Sequence, residues 1–167
     1  AAAGGEMDSV DANKFRILNM LNTKYFIFPV NQQGQTAPIL NPYAYGNAWF
    51  VNNVKYVNNA NEEIAAVGEV DLKNTAVADT KFKEALKGKV DSLSTIKLTN
   101  YEPNHLIYET SSPKEGVVVF SEIFYPGWQA TIDGQPIDIA RANYILRAVN
   151  VPAGKHTIEM RFDPKSL

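Results

Sequence analysis

A chain of 167 residues with 45% hydrophobic and 20% charged side chains can build one large core or two small, tightly joined ones. Sixteen basic against eighteen acidic side chains leave a net charge of −2, so nothing overall drives counterion release on nucleic acid or polybasic adsorption to a membrane. The absence of cysteine excludes disulfides, thiolate metal sites and cysteine nucleophiles.

Residues 1–8 form a small-residue tract without apolar pattern, expected to be a disordered tail or a cloning remnant. A short helix is predicted over 14–22, with Ile17, Leu18 and Leu21 on its apolar face and Asp11 as a cap. Residues 24–28 are β-branched and aromatic and stop at Pro29; 31–42 carry Gln, Gly, Thr and two prolines and read as a loop. Strand residues return over 48–57, interrupted at Asn52-Asn53. Asn61 with Glu62 and Glu63 is a good helix start, and Gly68 a stop. A short strand over 75–78 precedes Asp79 or Thr80, either able to cap a second helix running to Leu86. No apolar run approaches the ~20 residues of a membrane-spanning helix.

From residue 92 the period changes to two. Ile96 and Leu98 share a face, 101–104 is a turn, and 106–110 alternates again. Residues 117–124 are almost continuously apolar, as a strand buried on both faces requires. Trp128, Ala130 and Ile132 alternate up to Asp133-Gly134, whose composition suits a hairpin turn with positive φ. Ile137 and Ile139, then 144–151, then Ile158 and Met160 complete about six strands. The predicted class is α+β and β-dominated: a small mixed α/β subdomain over 9–91, then an antiparallel β-sandwich over 92–167, of jelly-roll, galactose-binding-like type.

The stretch Phe124-Tyr125-Pro126-Gly127-Trp128, running to Asp133-Gly134, resembles a block of the YfhO-like family of bacterial polytopic membrane proteins. Arg141-Ala142-Asn143-Tyr144, Arg147-Ala148-Val149 and Val151-Pro152-Ala153-Gly154-Lys155-His156 come next, in the order and spacing of that family, and Leu18 to Tyr25 resembles its upstream segment. The resemblance implies a membrane glycosyltransferase-like parent that moves sugars from lipid-linked donors onto cell-envelope polymers or lipids. Its catalytic acids would lie in a membrane-region loop that has no counterpart here, so none is carried over. This chain is then expected to be a domain outside the cytoplasmic membrane, anchored through the rest of its protein, with a membrane helix resuming after Asp163-Pro164.

The candidate chemistry is sparse. Glu122, Asp133 and Asp138 are the carboxylates of the β half that could form a glycosidase pair, but Asp133 suits its turn and Asp138 a solvent-facing position. His105 and His156 lack metal-ligand spacing, and His156 falls in register with Ile158 and Met160. No metal, cofactor or catalytic residue is expected, and no nucleic-acid partner. Tyr125, Trp128 and Trp49, lying among amides and glycines, are materials of a carbohydrate site, with Arg141 and Asn143 as its polar partners. The competing structural reading buries Trp128 on the face of Ala130 and Ile132, its indole N–H on a carbonyl or water. Two functions are open on these grounds: a non-catalytic domain of the membrane protein contacting an envelope glycan or glycolipid, or a free-standing carbohydrate-binding module.

Overall fold

Residues 15–29, 31, 33–88 and 93–163 are described by the computed structural model; the expected tail at 1–8, the Asp11 cap and the division at 89–92 lie outside them. Helix α1 (Arg16–Met20) is shorter than its apolar spacing predicts and faces differently, burying Asn19 and Met20 while Ile17 and Leu18 stay exposed. Polar bonding turns it: Asn41 Nδ2 donates to Asn19 Oδ1 at 2.9 Å, and the Tyr45 amide donates to the Asn19 carbonyl at 3.0 Å. A buried amide satisfied in this way outweighs the aliphatic stripe.

Strand β1 (Tyr25–Pro29) forms as expected, but it pairs antiparallel with β2 (Thr36–Leu40), inside the stretch read as a loop. Pro38 is tolerated because this two-stranded sheet has free edges. Only the tip turns, where Asn31 Oδ1 accepts the amides of Gln33 and Gln35. Asn52 divides the next run into β3 (Ala48–Val51) and β4 (Asn53–Val57), which join different sheets.

Helix α2 (Ala60–Val67) is capped by Asn59, two residues before the expected Asn61. Asn59 Oδ1 accepts the Glu62 amide at 3.0 Å, and its Nδ2 donates to Glu62 Oε1 at 2.8 Å. The helix stops at Gly68 and leads to β5 (Thr75–Asp79), parallel to β4. Asp79 does cap, accepting the Lys81 amide at 2.9 Å, but it opens one 3-10 turn at Thr80–Phe82 and not a helix to Leu86.

The period-two stretch folds as β6 (Thr95–Glu102), β7 (His105–Ser112), β8 (Gly116–Ile123), β9 (Trp128–Ile132), β10 (Gln135–Ile137), β11 (Ala140–Ala142), β12 (Leu146–Val151) and β13 (Gly154–Phe162). One sheet runs β10-β9-β13-β7-β6 and the other β11-β12-β8-β3, all antiparallel. Between them lie Tyr108, Val118, Phe120, Ile158 and Met160. The alternate residues of the same β8 run, Val117 and Val119, join Trp49, Leu72, Val77 and Leu86 in a second core behind the four-stranded sheet. Continuous apolarity over 117–120 thus serves two cores from one strand. Because β3 is the outer strand of that sheet, the two halves divided near residue 91 are interleaved in space.

Candidate functional site

The bend Pro126-Gly127 is fixed by two contacts. Gly127 has φ +95°, and a Cβ there would stand 2.9 Å from the Phe162 ring; its carbonyl accepts the Asp163 amide at 2.8 Å. Trp128, first residue of β9, faces Phe162 across the sheet with ring centroids 5.5 Å apart. On its face lies the Arg147 guanidinium, its carbon 3.8 Å from the ring centroid. Arg147 is 3% exposed; its Nε donates to the Ile123 carbonyl at 2.9 Å, and Nη1 lies 3.8 Å from Met160 Sδ. Burial lowers the Arg147 pKa, opposed by the charges of Glu122 and Tyr108. Burial raises that of Glu122, opposed by Arg147, and raises the Tyr108 phenol, reinforced by Glu122.

A groove of about 350 Å³ opens beside this stack at the free edge of the five-stranded sheet, lined by Tyr125, Trp128, Gln129, Thr131, Pro136 and Asp138 among others. Tyr125 is 56% exposed, and its ring lies 6.2 Å from that of Phe162. Two aromatic side chains therefore stand next to an amide, a hydroxyl and a carboxylate, a lining suited to a sugar's C–H surface and hydroxyls.

Of the five candidate glycan contacts, the structure brings Tyr125 and Trp128 together, buries Trp49 and Asn143, and leaves Arg141 partly exposed in a separate depression beside Tyr144. Trp128 is half-buried, less enclosed than the core position foreseen for it. The indole bond to a carbonyl is made instead by Trp49, which is buried and donates Nε1 to Leu72 at 3.2 Å. Asn143 is also buried: its Oδ1 accepts the Val77 backbone N–H at 2.8 Å, and its backbone N–H donates to the Val77 carbonyl at 2.7 Å. Arg141 donates Nη2 to Glu63 at 2.6 Å. Trp49 and Asn143 are thus structural, and Arg141 is engaged in an ion pair. Sequence reasoning missed Arg147 and Glu63. For Arg147 the signal was present, a cation amid the apolar residues of 145–149. Glu63 looked like an ordinary first-turn helix acid.

The carboxylates considered for catalysis are placed apart in role. Asp138 lines the groove, Glu122 stands in the field of Arg147, and Asp133 closes the β9–β10 turn at φ 50°, ahead of Gly134 at φ 80°. Among the described residues, no group of three or more His, Cys, Asp or Glu side chains could hold a metal ion.

Asp133 is occupied by β13. His156 Nδ1–H donates to it at 2.6 Å, and the Thr157 amide donates to its Oδ1 at 2.9 Å. The bond to Asp133, then that to the Ala153 carbonyl, hold His156 above its ordinary 6.5; His156 and Thr157 hold Asp133 below its ordinary 3.8. A histidine raised on folding stabilises fully below 6.5 and loses that contribution as pH climbs through its folded value. An aspartate lowered on folding stabilises above 3.8 and loses that contribution as pH drops through its folded value. The pair therefore contributes most between pH 3.8 and 6.5. The thermal midpoint should exceed that of His156→Gln in this window, and the difference should shrink at higher pH. A gap that stays constant well above 6.5 would show that the pair does not titrate as described.

A family model described as bacterial membrane protein YfhO matches residues 13–167. No curated protein matches the chain, and neither does any solved structure. No helix among the described residues is long and apolar enough to cross a membrane.

Proposed function

The chain belongs to the YfhO family of bacterial membrane proteins, and on that premise we propose that it is a non-catalytic, extracytoplasmic glycan-contacting domain of a glycosyltransferase-like parent. Its groove would hold a sugar of an envelope glycan or glycolipid near the membrane-embedded part of the same protein. The observation that carries this reading is the exposed Tyr125 ring beside Trp128, in a groove whose rim offers Gln129, Thr131 and Asp138. Catalysis on this domain finds less support. Burial raises the Glu122 pKa against the charge of Arg147, as a general acid needs, but Asp133, which could have supplied the second carboxylate of a pair, is engaged by His156 and the Thr157 amide. The rival of a free-standing carbohydrate-binding module shares the groove but fits less well with membership of a membrane-protein family.

The test is an array of bacterial envelope glycans probed with the wild-type chain and with Tyr125→Ala. The variant removes a ring that is more than half exposed, so it should melt with the wild type while losing roughly three- to tenfold in affinity. Failure of the wild type to retain any glycan, or equal binding by the variant, would overturn the groove assignment. Turnover of a chromogenic glycoside that disappears in Glu122→Gln would replace it with a glycosidase.

A further inference from the structure

Two turns of the sandwich each place successive residues at positive φ, but they fill the second place differently. The β9–β10 turn has Asp133 at φ 50° and Gly134 at φ 80°, whereas the β11–β12 turn has Asn143 at φ 49° and Tyr144 at φ 72°. Glycine takes such a conformation without cost, and a bulky side chain does not. Strain of this kind is retained where the side chain serves a site.

The Tyr144 ring stands beside the Arg141 guanidinium, 5.6 Å from centroid to carbon, and both line a depression of about 230 Å³. Its other walls come from distant parts of the chain: Lys81 and Phe82 of the 3-10 turn after β5, and Ile123 and Phe124 at the end of β8. Phe82 and Phe124 meet edge to face at 6.5 Å, and Lys81 Nζ lies 5.0 Å from the Phe82 ring. The lining therefore holds two cations among aromatic and aliphatic side chains, and no acid. An apolar hollow with a few convergent polar groups is the composition of a small-molecule site, and this one has room for a small ligand.

Arg141 still lacks an acceptor. Its Nη2 is given to Glu63, whereas Nε is shielded from water and has no hydrogen-bond partner. A desolvated donor of this kind is costly, and native structures rarely leave one unexplained. The side chain keeps 26% of its surface, so the guanidinium can be reached from the depression.

We propose that this depression binds a small organic carboxylate, its charge held between Arg141 and Lys81 and its carbon body against Phe82, Phe124 and Tyr144. The planar fork of a guanidinium matches a carboxylate edge-on. One negative charge fits better than the two of a phosphate, because Glu63 already offsets Arg141 and Asp79 lies 3.9 Å from Lys81 Nζ. The rings offer a surface to the C–H face of an acidic sugar and to the body of a free apolar acid alike. Phe124 is the lining residue that this depression shares with the groove of Tyr125 and Trp128, and the inference does not rest on the glycan reading.

Titration of the isotope-labelled chain with glucuronate, benzoate, glucose and inorganic phosphate, followed by the backbone amide and arginine Nε resonances, tests it. Glucuronate or benzoate is expected to shift the signals of Lys81, Arg141 and Tyr144 saturably, and glucose is not. A response to glucuronate alone assigns the carboxylate to an acidic sugar, and a response to benzoate alone to a free apolar acid; each supports the site. Lys81→Gln and Tyr144→Gly should each weaken binding of the responding acid by roughly fivefold or more. Lys81 is exposed and glycine suits the φ of Tyr144, so both variants should keep the circular dichroism of the wild type. Tyr125→Ala should bind the acid as the wild type does. No saturable shift with either acid, an equal response to glucose, tighter binding of phosphate, or unchanged affinity in either variant overturns the proposal. Loss of acid binding in Tyr125→Ala would assign the acid to the groove and overturn it likewise.

Discussion

Glu63→Ala is expected to lower stability by about 3 kcal/mol, read as a shift in the urea midpoint. The carboxylate is completely buried and accepts Arg141 Nη2 at 2.6 Å and the Tyr144 amide at 2.9 Å. Removing one partner of a buried ion pair costs about 3–5 kcal/mol, because the other charge is left uncompensated. Arg141 keeps 26% of its side-chain surface and can turn partly to water, which places the expected cost at the lower end. A second effect adds to it. Asn143 and Tyr144 form the turn between β11 and β12 with φ of 49° and 72°, a conformation that residues with a Cβ adopt only at a cost. Val77 holds the first of them and Glu63 the second. Glu63→Gln retains an acceptor for the Tyr144 amide and should cost less, about 1–2 kcal/mol. Combining Glu63→Ala with Arg141→Ala should cost less than the sum of the two single changes. Unchanged midpoints in both single variants would mean the ion pair does not join the two halves of the chain.

That pair also shows where sequence reasoning stops. Ile96 with Leu98, Ala130 with Ile132 and Ile158 with Met160 were legible as strand faces because alternation is a local signal. The turn at Asp133-Gly134 was legible because positive φ selects those residues. The roles of Arg141 and Asn143 were not, since their partners Glu63 and Val77 lie 78 and 66 residues away. Their position outside an apolar register suggested solvent, and polar groups from α2 and β5 met them there instead. Strand β2 was hidden by Pro38, which is ordinarily evidence against a strand but is harmless where one edge is free. The exposed side of α1 was hidden for a similar reason, because the Asn19–Asn41 bond that orients it spans 22 residues. Of the groove, the Tyr125 and Trp128 wall could be read from sequence, whereas Arg147 under the Trp128 ring depends on how β9 and β12 pack.

Trp128→Ala is the variant in which stability and recognition separate most clearly, and its expected cost is about 3 kcal/mol. Truncation of a fully buried Trp costs about 3–5 kcal/mol. Trp128 is only half-buried, so less apolar area is lost. Two specific interactions offset that reduction. The ring lies 3.8 Å from the guanidinium carbon of the buried Arg147, and a desolvated cation–π contact contributes about 2 kcal/mol. Its pairing with Phe162 at 5.5 Å contributes about 0.5–1.5 kcal/mol more. Trp128→Phe should recover part of the loss, because a smaller ring still offers a face to the guanidinium. Joining Trp128→Ala to Arg147→Met should give a combined cost below the sum of the single ones, since the cation that suffers from the missing ring is then gone. On a glycan array, Trp128→Ala should bind no better than Tyr125→Ala, as both rings line the same groove. A Trp128→Ala protein that melts with the wild type but has lost its glycan would remove the Arg147 stack as a stabilising feature and leave Trp128 solely a recognition residue.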